Sequence, residues 1–272
     1  MLDGKGCPLK RSLLLMSVAG LAMIAASACG GDSKKTATST PPAASPTKGA
    51  ILVPTSTPSG PRTPTAEPAI AIGQPIGGSE LRTPFRIEGV ANVFEGALVV
   101  QVVGPDGKVL CERPVQASSG AGTPGTWQTT MAFPPLKEGG PATIRAFDRS
   151  AKDGSEENVV TRGIRLTAEA APIVITSPGC NAQVQAQSKL DVKGSASVFE
   201  ATLLVDLRDS TGKVIKTESV KASASAPETG TWQTSFDLGS LPTGDYEIVA
   251  YSKSARDGSA QNVFGVPIRI TT

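Results

Sequence analysis

The five residues Gly-Thr-Trp-Gln-Thr at positions 125–129 recur without change at positions 230–234, 105 residues later. From each tryptophan onward, bulky apolar residues keep returning at alternate positions. Apolar side chains at every second position are typical of a β-strand with one buried face. The segment therefore predicts a half-buried strand in each copy. The inward-facing residues are Trp127, Thr129, Met131 and Phe133, and Trp232, Thr234, Phe236 and Leu238.

The repeat extends far beyond this segment. Residues 89–95 correspond to residues 194–200, and residues 150–155 correspond to residues 254–259 at an offset of 104. A period this long indicates a duplicated domain, because solenoid repeats are only about 20–50 residues long. The few residues between the copies are short enough to restrict their relative orientation. The predicted domains are residues 70–168 and residues 173–272, with residues 169–172 as the linker.

A second pair of strands shows the same alternation. Residues 98–103 and residues 203–208 keep one set of positions apolar, while the other set admits Gln101, Asp206 and Arg208. The apolar set marks the face that we expect to be buried. Its members are Leu98, Val100 and Val102, and Leu203, Val205 and Leu207.

The spacing of the strands indicates the fold class. About seven short strands per roughly 100 residues, separated by Gly, Pro and Asp-Gly turns, are typical of an immunoglobulin-like β-sandwich. A fully closed barrel is the alternative. We therefore expect an all-β protein with two tandem sandwiches. The remaining strands are predicted near residues 70–72, 85–90, 108–114, 142–147 and 159–166, with equivalents in the second copy.

The amino terminus has the features of an export signal. Three basic residues precede an uncharged apolar run at residues 12–28, the order found in secretory signal peptides. Residues 26–30 resemble the lipobox of bacterial lipoproteins, in which a cysteine receives a diacylglycerol and cleavage occurs just before it. Ala26 departs from the larger aliphatic residue that is usual there. The resemblance implies a signal peptide at residues 1–28 and lipidation of Cys29; an uncleaved membrane anchor is the alternative, although the run is short for a spanning helix.

Residues 29–69 have a different composition from the rest of the chain. Residues 30–69 contain 8 Pro, 8 Thr and 5 Ser. Such a segment cannot bury enough apolar surface to offset the entropy of ordering it. We expect a disordered tether, either a stalk that lifts the domains off the membrane or a plain spacer.

Composition excludes several classes of function. The 272 residues include no histidine, which removes Ser-His-Asp and Cys-His triads and every metal site that needs imidazole. The net charge of +2 does not suggest binding to nucleic acid. Without residues 1–28, basic and acidic side chains are equal in number, 23 each. Acyl chains rather than charge would then attach the protein to a membrane, outside the cytoplasm.

Each copy resembles the immunoglobulin-like domain of bacterial spore germination proteins. That family combines a Pro near the first strand, a Gly-x-Ala-x-x-Phe-Glu segment and a late Ser-x-Lys-Asp-Gly-Ser turn. The resemblance covers residues 70–272 and implies the fold, an envelope location and a role related to spore germination or envelope organisation. Two positions of the second copy depart from the family: Ala201 replaces the glycine kept as Gly96, and Arg256 replaces the lysine of the turn. The matching elements are Pro75, residues 89–95 and 150–155, then Pro178, residues 194–200 and 254–259.

The acidic residues retained in both copies define the candidate ligand-binding residues. In one interpretation, the Phe-Glu pairs form an aromatic and carboxylate site at a loop that holds a ligand. In the other, which the residues favour, a buried Phe anchors the sheet and the Glu binds turn amides. The residues carried forward are Phe94, Glu95, Lys152 and Asp153, with Phe199, Glu200, Arg256 and Asp257.

The Asp-Gly pairs at residues 153–154 and 257–258 predict tight turns, because this dipeptide tolerates positive φ. The cations beside them, Arg149 and Lys152 in the first copy, could meet an anionic wall polymer or be solvated surface. A calcium site would use Asp153, Ser155 and Asn158, yet it offers one carboxylate where calcium takes six to eight oxygens. We therefore expect no metal and no cofactor.

The tryptophans and cysteines leave alternatives open. Trp127 and Trp232 are either sugar-stacking platforms or, as their inward alternation favours, core residues. Cys111 and Cys180 are the cysteines left to pair after the signal and the lipidated residue. They fall at non-equivalent places in the two copies, so a bridge would join the domains, and free thiols are equally compatible with the sequence.

Two functions remain. The favoured one is a non-catalytic surface lipoprotein, anchored to the membrane by lipid, whose domains bind or scaffold a cell-wall polymer, a glycan or an envelope protein. The alternative is a glycan-active enzyme or enzyme accessory that works with carboxylates alone, which needs two carboxyl groups roughly 5–10 Å apart.

Overall fold

The computed structural model describes residues 67–239 and 241–272. The predicted signal peptide, the predicted lipidation site Cys29 and the predicted tether up to residue 66 lie outside the described residues. Both domains belong to one compact unit of the chain. Within the described residues, no helix is long and apolar enough to cross a membrane.

The first domain consists of eight strands in two sheets. One sheet has three strands in the order β1-β3-β6, and the other has five in the order β2-β8-β7-β4-β5. The strands are β1 (Ile70–Gln74), β2 (Glu80–Leu81), β3 (Phe85–Ala91), β4 (Ala97–Val103), β5 (Val109–Gln116), β6 (Gly125–Met131), β7 (Gly140–Arg149) and β8 (Glu156–Leu166).

The second domain repeats this arrangement. Its three-stranded sheet has the order β14-β11-β9, and its five-stranded sheet has the order β10-β16-β15-β12-β13. Two separate sheets with their own edges confirm the sandwich and exclude the closed barrel. The strands are β9 (Ile173–Ser177), β10 (Ala182–Gln185), β11 (Lys189–Ala196), β12 (Thr202–Asp209), β13 (Val214–Lys221), β14 (Gly230–Asp237), β15 (Gly244–Lys253) and β16 (Ala260–Thr271).

The hydrophobic core of each domain lies between its two sheets. Trp127 and Trp232 are buried there, which confirms the core interpretation of both tryptophans. Each ring packs directly over a glycine of the partner strand, Gly89 for Trp127 and Gly194 for Trp232. The apolar faces predicted for β4 and β12 are also buried, and so are Met131, Phe133, Phe236 and Leu238.

The outer face of the five-stranded sheets also contains buried polar residues. Gln101, which alternation placed on the polar side, is only 6% exposed, and its counterpart Asp206 is 1% exposed. Gln101 accepts a hydrogen bond from Arg145 at 2.7 Å. Asp206 accepts hydrogen bonds at 2.7 Å from Arg208 and Thr217. These polar side chains are buried because their neighbours cover and satisfy them.

In the second domain, a tyrosine is hydrogen-bonded to the backbone where the chain enters β15. Tyr246 is buried, and its hydroxyl donates a hydrogen bond of 3.0 Å to the carbonyl oxygen of Pro242. A tyrosine near the start of this strand, bonded to the backbone a few residues upstream, is a hallmark of immunoglobulin-like sandwiches. The equivalent position in the first domain is Ala142.

A disulfide joins the two domains. Cys111 on β5 is bonded to Cys180, just before β10, and the two Cα atoms are 5.1 Å apart. The structure therefore decides the cysteine question in favour of the interdomain bridge rather than free thiols. Beside it, Arg113 donates hydrogen bonds to Glu247 at 2.7 Å and to the carbonyl of Gly265 at 2.6 Å. A covalent bond and a half-buried ion pair thus hold one side of the interface.

Candidate functional site

The Phe-Glu segment forms a tight 3₁₀ turn at the same place in both domains. The turns are Phe94–Gly96, which leads into β4, and Phe199–Ala201, which leads into β12. Buried valines precede both turns, and the amide of Gly96 donates to the carbonyl of Val93 at 3.0 Å. Because the chain is anchored before and after the turn, the residue at its tip projects outward.

The phenyl rings at these tips are exposed. Phe94 is 66% exposed and Phe199 is 75% exposed. The favoured sequence interpretation, a buried Phe that anchors the sheet, was therefore wrong. It failed because the anchoring side chains are the preceding valines, one residue earlier in each copy. Exposed valines also recur at equivalent positions, but Phe94 and Phe199 are the aromatic pair among the large hydrophobic residues exposed in the described ranges.

The glutamates next to these rings have a strained backbone. Glu95 has φ 55° and ψ 7°, and Glu200 has φ 55° and ψ 13°, in the left-handed region that non-glycine residues rarely adopt. Neither carboxylate accepts a hydrogen bond or forms an ion pair within the part of the chain that the structure describes. Strain of this kind persists only where the surroundings enforce it, and it clusters at functional sites.

A pocket lies beneath each exposed ring. In the first domain it measures about 450 Å³ and includes Phe94, Glu95 and Arg149. In the second domain it measures about 720 Å³ and includes Phe199, Glu200 and Lys253. Each pocket thus combines an aromatic ring, a carboxylate and a cation. Eight lining positions are equivalent in the repeat: Phe94, Glu95, Ala97, Leu98, Val99, Asp148, Arg149 and Ala151 match Phe199, Glu200, Thr202, Leu203, Leu204, Ser252, Lys253 and Ala255.

The other predicted site residues lie on the turn that follows β7 or β15. Lys152, Asp153, Arg256 and Asp257 are all exposed and do not line these pockets. The pocket of the first domain therefore combines the Phe-Glu pair with Arg149 and Ala151 at the start of the late turn. Lys152 and Asp153, in the middle of that turn, lie outside the pocket.

The aspartates of the late turns serve the turns themselves. The carboxylate of Asp153 accepts hydrogen bonds from the amide of Ser155 at 3.0 Å and from its hydroxyl at 2.7 Å. The hydrogen bonds from Ser155 lower the pKa of Asp153, and Ser259 lowers the pKa of Asp257 in the same way. Gly154 and Gly258 have positive φ, which confirms the predicted tight turns.

The residues weighed for calcium do not converge. The Asn158 amide donates to Asp148 at 2.9 Å, whereas Asp153 accepts its hydrogen bonds from Ser155. Across residues 67–239 and 241–272, no group of three or more Cys, Asp or Glu side chains is close enough to hold a metal ion.

Sequence reasoning missed a cleft between the domains. It measures about 410 Å³, and its walls come from β4, β5 and the end of β7 on one side and from β10 with the residue before it, β15 and β16 on the other. Its charged side chains are Glu112, Arg149, Asp245 and Arg269. The pairing of Cys111 with Cys180 was the one signal that could have indicated it, since a bridge there requires the domains to touch.

Comparison with known proteins places the fold in a family. The model of the immunoglobulin-like domain of bacterial spore germination matches the chain twice, at residues 69–155 and 172–259. The chain belongs to this family. Each match of the spore-germination immunoglobulin-like family ends before the last strand of its domain, β8 or β16, which the structure adds.

Similarity to solved structures is remote. The fibronectin(III)-like modules of Clostridium thermocellum CbhA are 12% identical, with 74% of this chain and 94% of that chain covered and a TM-score of 0.26. Latent PorU from Porphyromonas gingivalis is 12% identical, with 72% and 22% covered and a TM-score of 0.26. We draw no argument from similarities this low. No curated protein matches the chain.

Proposed function

We propose that the protein is a non-catalytic binding or scaffolding module whose two Phe-Glu pockets hold a component of the bacterial envelope, which is a wall polymer, a glycan or a partner protein. The observation that carries this proposal is the recurrence of the same pocket at eight equivalent positions, each time under an exposed phenyl ring. A structural role alone would not require the ring to face outward.

The chemistry of the pockets suits recognition. An exposed aromatic ring offers a large apolar surface at a small cost in conformational entropy, and aromatic residues dominate the energetics of many interfaces. The neighbouring carboxylate and cation can orient polar groups of a ligand. Two such pockets in one chain would also gain from effective concentration when the ligand is a polymer or a surface.

The envelope assignment rests on the amino-terminal sequence and on the family. A diacylglycerol on Cys29 would hold the protein at the outer side of the cytoplasmic membrane, and residues 30–69 would let the domains reach their ligand. Acyl chains stabilise such anchoring by about 0.8 kcal/mol per buried methylene. A role in spore germination or envelope organisation follows from the family description alone and belongs to the same proposal.

Catalysis by carboxylates has less support. Glu95 shares its pocket with Asp148, but Asp148 is buried and bonded to Asn158, and its counterpart in the second domain is Ser252. A pair of carboxyl groups is therefore not common to the two pockets. Glycoside hydrolysis needs both groups.

The test is retention of the full chain on isolated cell envelopes, compared with a variant carrying Phe94→Ala and Phe199→Ala. We expect the double variant to lose most of its retention, since truncating a central aromatic contact costs about 2 kcal/mol or more per site. Both rings are exposed, so the free energy of unfolding should change by no more than about 0.5 kcal/mol. Enzymatic removal of wall polymer or of protein from the envelopes then identifies the ligand class.

A matched control is provided by Val109 and Val214. These valines occupy equivalent positions away from the pockets and are 50% and 44% exposed. A variant with Val109→Ala and Val214→Ala should bind like the parent. Equal retention of the two double variants would refute the Phe-Glu pockets as the binding sites. Glu95→Gln with Glu200→Gln completes the set, because an enzyme would lose turnover whereas a binding module would keep its fold and most of its retention.

A further inference from the structure

The Phe94 pocket and the interdomain cleft adjoin each other. Both are lined by Val99, Pro114 and Arg149. Val99 lies directly opposite Pro114 on β5 and opposite Phe147 on β7, so these three side chains share the outer face of the five-stranded sheet. Val99 and Pro114 form the apolar floor that the two depressions share, whereas Phe147 is fully buried and lines neither depression. The two depressions are therefore parts of one groove.

Arg149 stands where the two parts meet. Its guanidinium lies over the Phe147 ring, 5.3 Å from the ring centroid, a distance at which the ring attracts the cation. It forms no ion pair with any residue in the described ranges. Arg145 lies over the same ring but is paired with Glu156 at 2.5 Å. Of the two arginines in the groove, Arg149 is thus the one without an ion pair among the described residues, and it shares the groove with the carboxylates of Glu95, Asp148 and Glu112.

The far end of the groove is polar. Asn181 and Gln183 of the second domain supply exposed amide groups, and Arg269 is held by a two-point ion pair with Asp245, at 2.7 and 3.0 Å. Amides and carboxylates of this kind bind hydroxyl and acetamido groups. An aromatic ring at one end, a cation in the middle and amides at the other end match the alternating apolar faces and polar edges of linked sugar rings.

The walls of the groove are fixed before a ligand arrives. Glu112, which lines the cleft, lies between the disulfide-bonded Cys111 and the interdomain Arg113 on β5. A site held in its binding geometry loses less entropy when a long ligand binds. Of the two Phe-Glu pockets, that of the first domain shares lining residues with the cleft, and the Phe199 pocket shares none.

From these observations we propose that the groove binds one linear, carboxylate-bearing glycan chain, with a sugar ring against Phe94, a carboxylate on Arg149 and further sugars in the cleft beside Asn181. This inference rests on the proposed function of the Phe94 pocket. It adds the class of ligand and the contribution of the second domain.

The test is calorimetric titration of the full chain with hyaluronan oligosaccharides of two to eight sugars, and with neutral chitin oligosaccharides of the same lengths. We expect the affinity for hyaluronan to rise with length until the groove is filled and to exceed that for chitin oligosaccharides of equal length about tenfold, the effect of one charge-assisted hydrogen-bonded contact. Arg149→Gln should abolish the preference for the charged series. Arg165→Gln, an exposed arginine on β8 outside the groove, should leave it unchanged.

The interdomain disulfide provides the second part of the test. Replacement of Cys111 and Cys180 by serine should reduce the gain in affinity with length while leaving disaccharide binding at Phe94 intact. Arg113→Gln, which keeps the disulfide, should have the same effect in weaker form and serves if the serine variant does not fold.

The outcomes separate this inference from the function on which it rests. Affinity that does not depend on length, or equal affinity for the charged and neutral series, overturns the groove. Envelope retention that still depends on Phe94, with no binding of either series, also overturns the glycan groove but leaves the proposed function standing. If the variant with Phe94→Ala and Phe199→Ala keeps both its glycan binding and its envelope retention, the groove and the proposed function are both refuted.

Discussion

Gly89 and Gly194 explain, at the scale of single residues, why a glycine and a tryptophan recur together in the repeat. A Cβ atom at Gly194 would lie 2.1 Å from the carbonyl oxygen of Val174 and 2.5 Å from the Trp232 ring. Gly89 is enclosed in the same way by Ala71 and its own tryptophan. These contacts are with backbone and with a rigid ring, so neither neighbour can move aside at low cost.

Gly194→Ala is therefore expected to lower the free energy of unfolding of the second domain by about 3 kcal/mol, the upper part of the range for overpacked cores. Urea denaturation followed by tryptophan fluorescence measures it, since Trp232 is the ring displaced. Gly163→Ala is the matched control, because a Cβ there meets nothing within 4 Å, and it should change stability by no more than about 0.5 kcal/mol. Similar losses in the two variants would contradict the close approach as the reason for the glycine.

Phe94 and Glu95 show how far sequence reasoning reached at this scale. Duplication singled out the pair as a candidate, because two copies diverge wherever a residue is free to change. The direction of the side chain could not be read from it, since a 3₁₀ turn interrupts the strand alternation that assigns faces. Burial of the preceding Val93, rather than of Phe94, is a property of the turn.

At the scale of elements, the seven strands predicted for each copy are present, and the structure adds an eighth. The additional strands, β2 and β10, are two and four residues long and pair in parallel with the last strand of their domain. Strands this short carry no measurable alternation, and their parallel pairing joins segments that are far apart in the chain. They are edge elements, so nothing in the local sequence has to be apolar on both faces.

The hydroxyl of Tyr246 offers a test of how β15 is held. Tyr246→Phe removes the hydrogen bond to Pro242 and should cost about 1 kcal/mol at neutral pH. Burial, together with the nearby charge of Asp209, raises the pKa of Tyr246 above its usual 10. A raised pKa in the folded state means that the contribution of this group is complete below pH 10 and is lost as the pH rises through the folded-state value.

As the pH rises from neutral to above 10, the free energy of unfolding of Tyr246→Phe should therefore fall less than that of the parent. Urea midpoints measured across that interval provide the comparison. Arginines and the other tyrosine are unchanged in both proteins, so their titration cancels in the difference. Parallel curves for parent and Tyr246→Phe would show that the hydroxyl does not link folding to pH.

At the scale of the whole molecule, the duplication became asymmetric through its interface. Cys111, Cys180 and Arg113 have no counterparts of the same type in the other copy; the position equivalent to Cys111, for instance, is Lys216. Tandem domains joined by a short linker usually move relative to each other unless their interface is large. Here a covalent bond and the hydrogen bonds of Arg113 join the two domains, and the cleft between them lies beside the Phe94 pocket.

The disulfide should therefore determine whether the domains unfold together. The bridge closes a loop with a sequence separation of 69 residues, and bridges of this kind contribute about 2–4 kcal/mol. With Cys111→Ser and Cys180→Ser, differential scanning calorimetry should show two separate transitions at lower temperature, where the oxidised parent shows one. Cys29→Ser, which leaves the bridge intact, should unfold like the parent. A single transition in the bridge variant would mean that Arg113 and the surrounding contacts couple the domains without the covalent bond, and the preformed groove would then not depend on oxidation.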